Sequence, residues 1–254
     1  VLELPTPRAF PYACGQLGEE LLITTNIGQV HGLTAEGWET LRETDGTSYQ
    51  VYAALNTQDR LWLGQYPTGH LFDYHGGQLT HLNDQPPRMP KVSPSARELQ
   101  TLTIYRGDIY AGVWPWGEVW RYRPGSQRWE FVKRFFTHPE PTEATLHPYE
   151  EETAALDPVA NLWGQRISSM VPLGDSLYIS TSAKGTPAYD PKFEFLAEDK
   201  WKEYGMVYRY RLPGHLSAPM KWKDGPTRLE FIVEGGWMRV LQDGVELANG
   251  PIDG

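Results

Sequence analysis

Only one cysteine, Cys14, occurs in 254 residues, so neither an internal disulfide nor a Cys-rich zinc site can form. An isolated thiol of this kind is expected to be a buried packing residue. No apolar stretch approaches the length of a membrane span, so no membrane partner is expected, and no secretory leader pattern opens the chain at Val1. A mature secreted product and an excised fragment both fit that start, and an extracytoplasmic setting is the expectation. Basic residues are outnumbered, 23 Lys and Arg against 32 Asp and Glu, and form no stripe interleaved with aromatics. Phosphate contacts supply most nucleic-acid affinity, so no nucleic-acid partner is expected. HExxH, GxxxxGK(S/T), GxSxG and an Asp-rich calcium loop are all missing. His70, His138 and His147 lack metal-ligand spacing, so neither metal nor cofactor is expected. Long stretches of 3.6-residue period are absent, which leaves one short helix, around Glu150 to Leu156 and ending before Asp157-Pro158.

What the chain has in quantity is turns and aromatics. Its 25 Gly and 21 Pro fall between short apolar runs, which marks many turns rather than disorder. Four segments repeat one pattern of apolar run, Gly-containing loop and second run. They are LLITTNIGQVHGL from Leu21, LWLGQYPTGHLFDY from Leu61, IYAGVWPWGEVWRY from Ile109, and LYIS from Leu177, resumed by GMVYRYRL from Gly205 after a long insertion. Gly69 and Gly117 are in register, as are Leu71 with Val119 and Tyr74 with Tyr122. A further strand precedes each run (LTIYRGD, MVPLGDS), and another follows in WETL from Trp38 and RWEFV from Arg128. Four strands recurring every roughly 40–48 residues is the size of a propeller blade.

The expected fold is therefore all-β: a β-propeller of about five blades, or a fragment of a larger one, read as a single domain over 1–254. RLEFIVEGGWMRVLQDGVELANG from Arg228 reads as three strands joined at Gly235-Gly236 and Asp243-Gly244. It supplies either a fifth blade, with Val1 to Leu4 closing the ring, or a separate or truncated β segment over 225–254. Leu63, Ala111 and Ile179 are expected at equivalent inner-strand positions.

GEVWRYRPGSQRWEFV, residues 117–132, resembles the second half of a kelch repeat, with its Tyr, its Pro- and Gly-containing turn and its Trp. The Gly-Gly doublet of that repeat is not present before it. The resemblance implies that Tyr122 and Trp129 pack between neighbouring blades as core residues.

In a blade, the loop between the second and third strands and the connection to the next blade emerge on one face, where loops on a rigid scaffold carry function. That face is expected to display Tyr66, His70, Trp114, Trp116, Glu118, His138, His147, Tyr149, Glu150, Lys184, Tyr189 and Asp190. Flat aromatics cover the apolar faces of sugar rings while carboxylates and imidazoles bond the hydroxyls, so an oligosaccharide or polysaccharide is the expected partner. Tyr66, Trp114, Trp116, Glu118, Lys184 and Tyr189 are the substrate-binding candidates. The insertion at 183–203 is expected to project as one wall of a cleft.

The architecture and residue types also resemble, distantly, the propeller polysaccharide lyases. That resemblance implies β-elimination on an acidic polysaccharide, with His70 or His147 as base, Tyr149 as acid and Arg166 on the uronate carboxylate. A glycoside hydrolase would instead pair carboxylates among Glu118, Glu150 and Asp190. A non-catalytic propeller binding a glycan or a protein uses the same loops. For Glu150 to Glu152 a solvated helix start is an equally plain reading. Convergence of His70, Tyr149 and Arg166 in one pocket separates chemistry from binding.

Overall fold

The alternating runs fold into antiparallel sheets whose strands follow one another in chain order, as short local hairpins dictate. The structure is a computed structural model and describes residues 3–44, 50–94, 96–156, 162–185 and 188–252. The first sheet holds β1 (Pro11–Leu17), β2 (Glu20–Thr25), β3 (Val30–Thr34) and β4 (Gly37–Arg42). β5 (Gln50–Asn56), β6 (Leu61–Tyr66), β7 (Leu71–His75) and β8 (Gln78–Leu82) form the second. The third contains β9 (Glu98–Tyr105), β10 (Asp108–Trp114), β11 (Glu118–Arg123) and β12 (Arg128–Arg134). After helix α1 (Pro148–Ala154) comes the three-stranded fourth sheet, β13 (Gln165–Leu173), β14 (Ser176–Ala183) and β15 (Val207–Arg211). A one-turn helix, α2 (Glu198–Trp201), lies between β14 and β15, and β16 (Leu229–Glu234), β17 (Trp237–Gln242) and β18 (Val245–Pro251) make the fifth sheet.

The all-β class holds, and its units are blade-type meanders. Two compact units divide the chain, one of residues 1–170 with 179–207 and one of 171–178 with 208–254. In the larger unit the first strands β1, β5 and β9 neighbour one another, and β6 and β10 are buried along nearly their whole length. Leu63, Ala111 and Ile179 are fully buried at matching places on the second strands of their sheets. Trp62, Leu71, Leu99, Ile109 and Val113 fill the space between the second and third sheets. Tyr122 packs 5.3 Å from Trp62 and 5.2 Å from Trp129, whose indole N–H donates to Gln85 Oε1 at 2.9 Å. Sheets come this close because a glycine faces each intruding side chain. A Cβ on Gly64 would lie 2.8 Å from Leu99 Cγ, and one on Gly112 would lie 2.7 Å from Ile167 Cβ.

The second unit is built on the predicted pair of tight turns, with Gly235, Gly236, Asp243 and Gly244 all at positive φ. Its Gln242 side chain bonds both the N–H and the carbonyl of Lys221. Val1 and Leu2 lie outside the described residues, and Glu3 and Leu4 lie beside Leu21, Ile23 and Trp38 of the first sheet.

Two expectations are corrected. Cys14 is exposed, because residues 12, 14 and 16 of β1 share its outward face. The insertion after β14 does not project as a free wall. Its Phe193 and Leu196 are buried, and Tyr204 just beyond it donates its hydroxyl to Trp163 O at 2.8 Å. Glu203 binds the Thr137 N–H and hydroxyl at 2.8 and 2.6 Å. Deleting residues 184–203 is therefore expected to lower Tm by roughly 10 °C or more, since each large buried side chain is worth about 2–5 kcal/mol. Circular-dichroism melting within a few degrees of wild type would restore the free-wall description.

Candidate functional site

Two loops repeat the same construction. Tyr66-Pro67-Thr68-Gly69 after β6 and Trp114-Pro115-Trp116-Gly117 after β10 each contain a cis X-Pro bond and a glycine near φ +60. Arg97 N donates to Pro67 O at 2.8 Å, and Gln165 N donates to Pro115 O at 2.9 Å. Isolated parallel bridges join Thr68 to Arg97 and Trp116 to Gln165. Each loop is thus tied to the residue that opens the next sheet's first strand, which brings loop side chains and strand openings together.

The residues meeting there come from β1, β5, β6, β9, β10 and β13, with Lys184 just after β14. Glu98, at the start of β9, is fully buried and ion-pairs with Lys184 Nζ, while Gln100 donates to its other carboxylate oxygen. Arg166 Nε donates to Gln100 Oε1 at 3.0 Å. Lys184 Nζ stands 4.3 Å from the Tyr66 ring centroid and 5.1 Å from that of Trp114, within cation–π range. Tyr12, Tyr52 and Tyr66 continue as a file of rings with centroids 5.7 and 5.9 Å apart, and Gln50 Nε2 donates to the Tyr12 hydroxyl at 3.1 Å. Burial raises the Glu98 carboxyl above its ordinary range, opposed by Lys184 and Arg166. Burial and the Glu98 charge likewise raise the Tyr52 phenol, which stays protonated. Two cations thus share one carboxylate, leaving a surplus positive charge beside three partly exposed phenols.

Of the ten sequence candidates, Tyr66, Trp114, Arg166 and Lys184 come together here. The others do not. Trp116 is only 3% exposed, drawn inward by its bridge to Gln165, with the Arg134 guanidinium 5.0 Å over its ring and His147 at 4.5 Å on another side. Glu118 is fully buried beneath Arg97 and accepts the Trp120 indole N–H at 2.7 Å. Side chains enclosed to this degree, Trp114 at 4% exposure among them, have no surface to offer a sugar. Tyr189 packs at a tilt against Trp201 within the insertion, ring centroids 5.9 Å apart.

His70, Tyr149 and Arg166 occupy three different environments. His70 pairs with His81, ring centroids 4.2 Å apart, at the edge of a separate cavity. Tyr149 is buried on α1, with its hydroxyl 2.6 Å from His138 Nδ1. The other nitrogen of His138 faces Lys200 O at 3.1 Å, so Nε2 carries the proton and Nδ1 accepts the phenol's. Burial pushes the Tyr149 phenol up to about 12, while burial and the nearby Arg134 push the His147 imidazole down to about 3. His147 is spent as the N-cap of α1, accepting the Tyr149 N–H at Nδ1.

Glu150 is neither solvated nor facing a cleft. Its carboxylate accepts the N–H groups of Leu162, Trp163 and Gly164 at 2.9, 2.8 and 2.6 Å. Arg134, a residue that no motif marks, is held by the carbonyls of Trp116, His138 and Pro139 and by Gln165 Oε1. Among the described residues, no cluster of three His, Cys, Asp or Glu side chains fits a metal ion.

No protein-family profile matches the chain, and no curated protein matches it in sequence. Several solved structures are similar in outline. The computationally designed Ika4 protein has a TM-score of 0.44 and 11% identity, covering 83% of this chain and 96% of that one. The extracellular domain of a putative one-component system from B. thetaiotaomicron has 0.49 and 12%, covering 91% of this chain and 26% of that one. BamB from Moraxella catarrhalis has 0.38 and 11%, covering 95% and 63%. The chain thus spans about a quarter of the second protein's length and under two thirds of the third's.

Proposed function

We propose that this chain is a binding module for an acidic oligosaccharide, held on the loop face at Arg166 and Lys184. The carrying observation is the meeting of these two cations over the single carboxylate of Glu98, beside the file Tyr12–Tyr52–Tyr66. A uronate carboxylate pairs with the surplus charge, with Arg166 offering its planar fork. Tyrosine faces cover the C–H surfaces of the sugar rings, and Gln50 and Gln100 bond hydroxyls. The chain's net charge of −9 repels polyanions at long range, so affinity for one depends on this local excess of positive charge.

Binding is favoured over β-elimination by the placement of the groups that elimination needs. Tyr149 and His147 are packed around α1 with hydrogen bonds of their own, whereas the guanidinium meant for the carboxylate stands with Glu98. The test is calorimetric titration of an oligogalacturonate and of its carboxyl-reduced counterpart. Arg166→Ala/Lys184→Ala is expected to weaken the uronate by roughly 10- to 100-fold and leave the neutral ligand unchanged. Equal losses for both ligands, or none for either, would remove the carboxylate from the recognition. Appearance of an unsaturated, ultraviolet-absorbing product would return the protein to the lyases.

A further inference from the structure

A second site opens on the other side of the same strand end. Neighbouring residues of an extended chain point to opposite sides. Glu98 turns to Lys184 and Arg166, while Arg97 turns to a cavity of about 660 Å³. Thr68, His70, His81, Asp84, Arg88 and the rings of Pro86, Pro87 and Pro94 line it with Arg97.

Arg97 is 7% exposed and shapes this wall from within. Its guanidinium donates to Pro86 O at 3.3 Å and to Pro87 O at 2.9 Å, and its Nε–H has no hydrogen-bond partner among the described residues. The carboxylate of Glu118 lies 3.6 Å from Arg97, and the same oxygen also accepts the Trp120 indole N–H. Arg88 lies close enough to lower the Arg97 pKa, an effect secondary to burial and opposed by Glu118. Arg97 and Arg88 therefore both line one cavity with Asp84 as its lining carboxylate, in a chain that is acidic overall.

We propose that this cavity is a second subsite of the same face and takes the carboxylate-bearing ring of one uronic-acid residue. The inference rests on the acidic-oligosaccharide reading above for the identity of the ligand. Its volume falls in the range of ligand sites, roughly 300–1,000 Å³, and exceeds what an inorganic anion fills. The proline rings and the His70–His81 pair supply flat walls for the sugar ring, and Arg88 meets its carboxylate near the mouth. The ridge between the two sites is short, since Tyr66 and Thr68 belong to one loop and Arg97 and Glu98 are consecutive. An oligouronate crossing that ridge sets one acidic ring on each side, and two linked sites bind it more tightly than either alone.

Nuclear magnetic resonance of the His70 and His81 Cε1–H groups tests this, with D-galacturonate, D-galactose and tetragalacturonate as probes. D-galacturonate is expected to move both signals saturably in wild type and in Arg166→Ala/Lys184→Ala, and Arg88→Ala is expected to weaken that binding roughly tenfold. Tetragalacturonate is expected to bind at least about tenfold more tightly than the monomer in wild type, an advantage lost in Arg88→Ala. Movement that persists in the double variant supports this cavity even where Arg166 and Lys184 prove irrelevant to the oligomer. Absence of saturable movement, indifference to Arg88→Ala, or equal movement with D-galactose overturns it.

Discussion

Glu150→Ala is expected to cost roughly 3–6 kcal/mol of stability, against no more than about 0.5 kcal/mol for Glu151→Ala or Glu152→Ala. All three carboxylates stand in one acidic run, but only Glu150 is enclosed, at 6% exposure, while its two neighbours are exposed. The Glu150 carboxylate is the acceptor for three consecutive backbone N–H groups, those of Leu162, Trp163 and Gly164. Alanine leaves those donors unsatisfied in a buried setting, and each costs about 1–3 kcal/mol. The damage reaches the proposed site as well. Gly164 lies against the Trp114 ring, and the next residue, Gln165, exchanges backbone hydrogen bonds with Pro115 and Gly117 before Arg166 is placed. Urea unfolding would report the stability loss, and uronate titration of the surviving folded fraction would report weaker binding. A Glu150→Ala variant within 1 kcal/mol of wild type would mean that the 162–164 backbone finds other acceptors.

The repeat was legible because its local signals agree with one another. Short apolar runs, a glycine after the loop proline at Gly69 and Gly117, and the Leu-Gly and Ala-Gly pairs at Gly64 and Gly112 all fall in one register. The site was legible only in its loop half. Lys184 and Tyr66 stand on or beside the expected loops and Arg166 near a strand opening, whereas Tyr52 and Glu98 lie inside the runs QVYAALN and ELQTLTIY, which read as ordinary strands. A signal was present in those strands. Gln50 and Tyr52 alternate with Val51 and Ala53, and Glu98, Gln100 and Arg166 recur at the same early places in the first strands of later blades. Gln50, Glu98 and Arg166 hold one register of the first strands, as Gly64 and Gly112 do of the second.

His147-Pro148-Tyr149-Glu150 misled for the opposite reason. A histidine, a phenol and a carboxylate in four residues look like chemistry, but a hydrogen-bonding residue followed by proline and acids is also how a helix begins. The cap, the Tyr149–His138 bond and the Glu150 clamp use those groups to hold a connection too long to be held by sheet pairing. Trp116 was misplaced by a single bridge, to Gln165, which turns that part of the loop into the interior, and Glu118 opens β11 beneath Arg97. A contact between residues that far apart in the chain leaves no local mark in the sequence.

The second large effect is on acid stability, and it belongs to His147. Burial, with Arg134 and His138 adding to it, holds this imidazole near a pKa of about 3, against 6.5 when the chain unfolds. Its neutral state is also what its role demands, since Nδ1 accepts the Tyr149 N–H and a protonated ring has no acceptor there. A base whose pKa is depressed by folding contributes its full stability above the unfolded value. Below pH 6.5 the unfolded chain gains a proton that the folded one refuses, so stability falls by up to about 1.4 kcal/mol per pH unit until the folded pKa is reached. The loss attributable to His147 between pH 6.5 and pH 3 is roughly 3–5 kcal/mol. His138, also lowered by burial, adds to the slope with the same sign. His147→Asn separates the two, because asparagine keeps a side-chain acceptor for the start of α1 and does not titrate. Urea unfolding at a series of pH values is expected to give a visibly flatter profile for His147→Asn than for wild type below pH 6.5. Parallel profiles would show that His147 protonates as easily in the folded protein as in the unfolded chain, and the buried cap would then have to be abandoned.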